Sequence, residues 1–262
     1  MGHVRLGSLP RTRRWNEVVA LVAGGAASAQ VATATIHAAE KALGNAVKDQ
    51  GLIETIWLLT QIPLAARSDD FVDSLRRCGV HVNSDPSLFE ITAAVSEAID
   101  DAMPNNRDRT DLGEIAQMAA SETISSVIGQ RIPRLFEATS DEVRQEFAKL
   151  ATNKQFSIFA RDFFARFTTK CLDYFVSKTV SDHLGEGRRF TTLAELSKFS
   201  QTLKTHCHEA TKIVEKFSGE WFSKTNWEKN GEISRKNVAA FTSYAMTKLV
   251  SELKQGASSH DE

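Results

Sequence analysis

His206, Cys207, His208 and Glu209 form the densest run of metal-ligand side chains in the sequence. On a helix successive residues turn by about 100°, so His206 and His208 diverge by about 200° and cannot close on one ion. His206 and Glu209, three apart, could share a metal if further ligands came from elsewhere, with Asp182 and His183 as candidates. No CxxC or HExxH accompanies them, although zinc sites usually show such paired spacing. The expectation is a helix with Cys207 turned inward and polar neighbours at the rim, with neither metal nor cofactor.

A second constellation is Arg76-Arg77-Cys78-Gly79-Val80-His81. Its Arg-x4-His spacing resembles the motif of HEPN-type ribonucleases. The resemblance covers six residues. It implies that Arg76 and His81 meet at one phosphate, the first polarising it and the second moving a proton. It also implies a four-helix bundle around a motif that follows a helix. Here Gly79 ends the helix between the two residues, so the competing expectation is a helix C-terminus whose arginines complement its dipole.

Residues 149–178 interleave Lys149, Lys154, Arg161, Arg166, Lys170 and Lys178 with aromatic rings, a composition suited to single-stranded nucleic acid. The helical wheel points elsewhere. With Phe156 at the origin, Phe159, Phe163, Phe167 and Tyr174 fall within about 60° of it, and the basic residues surround the wheel. A buried aromatic stripe with charged flanks is expected. Phosphate loops and the nucleophile elbow are absent by signature, since no GxxxxGK[ST], GxGxxG or GxSxG occurs. Ser251-Glu252-Leu253-Lys254 spells S-x-x-K without the companion motifs of that chemistry. Trp221, Phe222 and Trp227 concentrate ahead of Asn230-Gly231 and read as an aromatic turn. They are either a plug in the core or a partner-binding anchor, because Trp is enriched at binding hot spots.

The elements that must hold these residues are helical. Asp85-Pro86 reads as an N-cap and N1 pair opening a helix to about Met103, with Pro104-Asn105 as its stop. Asp111 to Glu114, Thr139 to Glu142 and Thr192 to Glu195 carry cap-to-N3 spacing. Gly79, Gly185 and Gly231 punctuate helix ends. Phe156, Phe159, Phe163, Phe167, Cys171 and Tyr174 recur at helical spacing, as do Val238, Phe241, Ala245, Leu249 and Leu253. About eight or nine helices and no convincing strand are expected: an all-α fold.

The chain has 262 residues, 42% apolar and 25% charged, with net charge −1. That excludes a disordered tail, a polytopic membrane protein and a globally basic nucleic-acid binder. Cys78, Cys171 and Cys207 are odd in number and far apart, which suits reduced thiols. The halves differ. Residues 1–130 carry 11 basic and 16 acidic side chains, and residues 131–262 carry 21 and 17. Thirteen of the 15 Phe follow residue 130, whereas alanine numbers 20 before it and 11 after. We expect an Ala-rich helical subdomain over 1–130, with a basic N-terminal arm, packed on a Phe-rich helical subdomain over 131–262.

The N-terminal region admits three readings. Arg5, Arg11, Arg13 and Arg14 precede an uncharged run from Val18 to Ala39. A signal peptide would be cleaved after Ala29, at Ala27-Ser28-Ala29. A membrane span would use the whole run, with Gly24, Ser28 and Ala32 as a small-residue packing series. The expectation is a buried, Ala-rich helix pair broken near Gly24-Gly25.

Together these features point to a cytoplasmic, non-enzymatic helical subunit that works by binding protein partners, with Trp221, Phe222 and Trp227 as its anchor. A second reading is a nucleic-acid-acting protein, cleaving RNA through Arg76 and His81 or holding single strands. A third is a membrane-active effector inserting residues 18–39. A bacterial multi-protein system such as phage defence would accommodate all three.

Overall fold

Cap chemistry and apolar periodicity resolve into eleven helices in the computed structural model, which describes residues 13–46, 48–103, 110–132, 138–180, 183–188 and 190–255. Arg5 and Arg11 of the arm, Pro104-Asn105 and Asp182 lie outside the described residues. The helices are α1 (Arg13–Ala23), α2 (Ser28–Ala46), α3 (Gln50–Ala65), α4 (Phe71–Arg77), α5 (Leu88–Asp101) and α6 (Asp111–Gly129). They continue as α7 (Ser140–Leu150), α8 (Asn153–Val180), α9 (Leu193–Ala210), α10 (Lys212–Glu228) and α11 (Arg235–Gln255). No strand occurs among the described residues, only one isolated bridge between Leu184 and Phe190. The all-α class holds, and the count of eight or nine is corrected to eleven.

The undercount has a local cause. Only Thr211 separates α9 from α10, in right-handed helical geometry at φ −75°, with its hydroxyl donating to the His208 carbonyl at 2.8 Å. Ala151 and Thr152 alone separate α7 from α8. Neither joint contains Gly or Pro, so neither is marked in the sequence. The caps also shift slightly. Thr139 and Glu142 form the full capping box, and Thr192 accepts from Glu195 N. The N-cap of α5 is Ser87 rather than Asp85, and that of α6 is Thr110 rather than Asp111.

Two helices organise the core. α3 is buried nearly all round, through Leu52, Ile53, Ile56, Leu58, Leu59 and Ile62, and it packs on α6, α11, α7, α4 and α5. A helix buried on nearly every side lies inside the others, and its polar side chains need internal partners there. α8, the longest at 28 residues, packs most extensively on α10 and α6 and also meets α9, α7 and α2. α6 therefore touches both. Its crossing with α3 is close: a Cβ built on Gly51 would stand 2.7 Å from the Gly113 Cα. One carboxylate serves both helix starts there. Asp49 accepts from Leu52 N at 2.9 Å and from the Thr110 hydroxyl, while Thr110 Oγ1 accepts from Gly113 N at 2.9 Å.

α1 and α2 form the helix pair expected from the N-terminal run, joined through Gly25 at φ +81°. They bury Trp15, Val18, Val22, Val31, Ala32 and Ile36, and α2 packs on α11, α9 and α8. Among the described residues no helix is long and apolar enough to cross a membrane. α11 closes the fold over α2 and α3. Thr33 Oγ1 donates to the Leu253 carbonyl at 3.1 Å, and Trp57 Nε1 donates to the Ile233 carbonyl at 2.9 Å. At the start of α11, Arg235 pairs bidentately with buried Glu54 and lies 3.6 Å over the Trp57 ring.

Candidate functional site

The residues singled out above go to four different places. The aromatic cluster moves most. Trp221, Phe222 and Trp227 lie on α10 itself, not in a turn after it. They face three ways. Phe222 is 1% exposed and stacks on Phe156 at 4.0 Å, so it belongs to the core. Trp221 is half-buried and stacks on Phe241 of α11, centroids 4.0 Å apart and planes 21° from parallel. Trp227 is 85% exposed.

What periodicity alone did not reveal is the partner of Trp221. α10 and α11 lie side by side, and a groove of about 360 Å³ runs between them. Its floor is the Trp221–Phe241 stack. Phe217 meets Phe241 edge-on at 5.9 Å and Tyr244 edge-on at 4.8 Å. Ala240 keeps the α11 side low, Glu220 and Lys224 line the α10 side, and Lys248 stands over Tyr244 at 5.6 Å. Tyr244 is 51% exposed. Helical spacing at Phe217, Trp221 and Lys224 was the available signal, but the sequence places Phe241 on an inward stripe and gives no reason to set it beside α10.

Arg76 has other employment. Its Nε and Nη2 donate to the Val82 carbonyl at 3.2 and 2.8 Å, and its Nη1 pairs with Asp73 at 3.2 Å. The guanidinium thus ties the segment after α4 back to that helix, across a turn in which Gly79 takes φ +85°. His81 stands exposed on that segment. Substituting Arg76 with Ala should lower stability by about 1–2 kcal/mol, the loss of charged hydrogen bonds to a carbonyl, and His81→Ala should stay within about 0.5 kcal/mol. Thermal melts alongside cleavage of labelled RNA check this. We expect RNA to remain intact with wild type. Cleavage lost in both variants, with folding intact, would instead make the pair catalytic, since each such group is worth on the order of 10²–10⁴ in rate.

The 206–209 run lies at the end of α9. Cys207 is buried against α8, and burial pushes its thiol up to about 12, against a hydrogen bond with Thr169. Burial likewise raises Cys171. Glu209 pairs with Lys212, which lowers its carboxyl from the ordinary range. His206 is half-buried and His208 exposed. Among the described residues no three His, Cys, Asp or Glu side chains gather as a metal site.

On α8 the aromatic stripe faces inward as expected: Phe156, Phe159, Phe163, Phe167 and Cys171 are all buried. Four of the six basic residues of the flank are in ion pairs. Lys149 pairs with Glu146, Arg161 with Glu215, Arg166 with Asp162 and Lys170 with Glu122, each within 2.8 Å. A strand-binding face would have to break these pairs. Beside them a polar crevice of about 240 Å³ holds Glu122, Asp162, Arg166, Asp173, Lys204 and His208. Loss of hydration raises the Asp173 carboxyl there, with Lys170 and Lys204 pulling the other way. An open cleft of about 470 Å³ collects Asp69, Asp70, Asp73, Asp85 and Asp141 with Arg76 and Arg144. Both are charge-balanced or solvent-facing. Set against known proteins, the chain matches no family model, no curated protein and no solved structure.

Proposed function

We propose that the chain is a non-enzymatic helical subunit that acts by binding another protein through the α10–α11 groove. The observation that carries this reading is a ring-lined groove between α10 and α11, open at Phe217, Trp221 and the 51%-exposed Tyr244, with Trp227, 85% exposed, one helical step beyond Lys224 on α10. Hydration of such rings is costly, and contiguous exposed apolar surface in a folded chain marks an interaction site. Among the described residues, Met118, Ile158 and Leu193 are also large, apolar and exposed, and they lie on three different helices. Scattered residues of that kind need no partner. The groove lies wholly within the Phe-rich half, residues 131–262. In this reading the Ala-rich half, 1–130, packs against it as support, and the assembly served is a bacterial multi-protein system.

Site-specific photocrosslinking in the native host tests the reading. A photoreactive phenylalanine analogue at position 227 or 244 should give a discrete protein adduct, and the same analogue at 118 or 158 should give none. Adducts equally frequent at all four positions, or absent from 227 and 244, would remove the groove as a binding site.

A further inference from the structure

We infer that the occupant of the α10–α11 groove is an acidic, amphipathic α-helix of about three turns; this rests on the groove being a protein-binding site. Shape gives the helix. From Phe217 to Trp227 is ten residues along α10, a rise of about 15 Å at 1.5 Å per residue. Apolar anchors at i, i+4, i+7 and i+11 of a second helix span about 16 Å and lie on one face. Such a helix would place one anchor over the Phe217–Tyr244 edge and the next two on the Trp221–Phe241 floor, and its last turn would run past Lys224, where the lining ends, toward the exposed Trp227. Concavity favours this over a lipid surface, which is entered by protruding rings rather than by a trough. The floor rings are already stacked on each other, which leaves no gap for a nucleobase to enter between them.

Charge gives the sign. With Phe217 as origin, Trp221, Lys224, Glu220 and Trp227 fall within an arc of about 120° on α10, and Lys216 follows next to Glu220. On α11, Lys236, Ala240, Tyr244 and Lys248 lie within a similar arc. All four lysines are exposed. Lys248 covers Tyr244, and Lys224 makes only a loose 3.9 Å pair with Glu228. Within the lining Glu220 and Lys224 balance each other; one turn outside it on the same two helix faces stand Lys216, Lys236 and Lys248 against Glu228, so the surround carries net positive charge. A helix flanking its anchors with Glu or Asp would answer these lysines. One flanked with Lys or Arg would meet like charge, a penalty that interfaces use to reject wrong partners.

The test uses full-length protein and three fluorescein-labelled 16-residue peptides followed by anisotropy. All share Leu or Trp at i, i+4, i+7 and i+11; their polar positions are Glu, Lys, or Ser and Gln. We expect the Glu peptide to bind at least tenfold more tightly than the Lys peptide at 50 mM salt, with the gap narrowing at 300 mM as screening grows. Lys224→Glu combined with Lys248→Glu should reverse the order. Trp227→Ala with Tyr244→Ala should weaken every peptide at least tenfold while the chain stays folded, the melting shift being no larger than loss of the single Phe217–Tyr244 ring pair brings. Equal binding of the three peptides would overturn the acidic assignment while leaving the groove as a binding site. No saturable binding of any peptide would overturn both. Sedimentation with phosphatidylserine vesicles but not phosphatidylcholine ones, lost on Trp227→Ala, would replace the helix by a membrane surface.

Discussion

Phe163→Ala is expected to cost about 3–5 kcal/mol of folding free energy, the range for truncating a fully buried aromatic. Phe163 is 1% exposed. Its ring meets Phe164 edge-on at 5.3 Å and stacks with Phe167 at 6.0 Å, and Phe164 in turn meets Phe241 of α11 at 6.2 Å. Removing the ring therefore opens a void and deletes two ring pairs, each worth about 0.5–1.5 kcal/mol beyond area. Phe164 is held on its other side by Phe241, which limits how far it can move into the space. Denaturant midpoints at constant slope give the number. Met118→Ala, on the exposed face of α6, is the control and should stay within about 0.5 kcal/mol. Comparable shifts for the two would show that the stripe on α8 does not face the core.

Gly219→Ala should cost about 3 kcal/mol, near the upper end for overpacking by one methyl group. A Cβ at this position would stand 2.1 Å from the Asn153 carbonyl oxygen and 2.5 Å from its Oδ1. The nearer atom is backbone, in the first turn of α8, and it cannot rotate away. α10 would have to lift from α8, loosening the Phe156–Phe222 stack one turn further on. Pairing the change with Asn153→Ala sharpens the test. That removes the side-chain oxygen and leaves the carbonyl, so we expect no rescue in thermal melts. Substantial recovery of the melting temperature would locate the obstruction in the side chain instead.

Much of this architecture was legible from residue order. The Thr139–Glu142 box, the Gly79 helix end and the inward stripe on α8 are local, set by spacing within a turn or two, and the structure keeps each of them. The joint at Thr211 was not legible, because a threonine in helical geometry differs from a mid-helix threonine only in what packs around it. Nor was the close approach of Gly51 to Gly113, which depends on two segments far apart in sequence. The candidate surface was half legible. Aromatic density drew attention to residues 221–227, but which of the rings faces solvent is decided by Phe156 and Phe241, on other helices. The sequence alone could not tell Phe222 from Trp227.

The closure of α11 over α2 and α3 has a consequence for the order in which the chain can mature. Thr33 and Leu253 are 220 positions apart, and Trp57 and Ile233 are 176 apart. Ribosomes extend a chain at about 5–20 residues per second, so the apolar faces of α2 and α3 emerge about 10–40 s before the helix that covers them. Through that interval the faces of α2 and α3 that α11 covers stay open, and α3, buried nearly all round in the folded chain, is the segment most exposed to wrong company. A shortened chain lacking α11 should therefore be cleared or aggregate rather than accumulate, because the α2 and α3 faces that α11 covers would stay open.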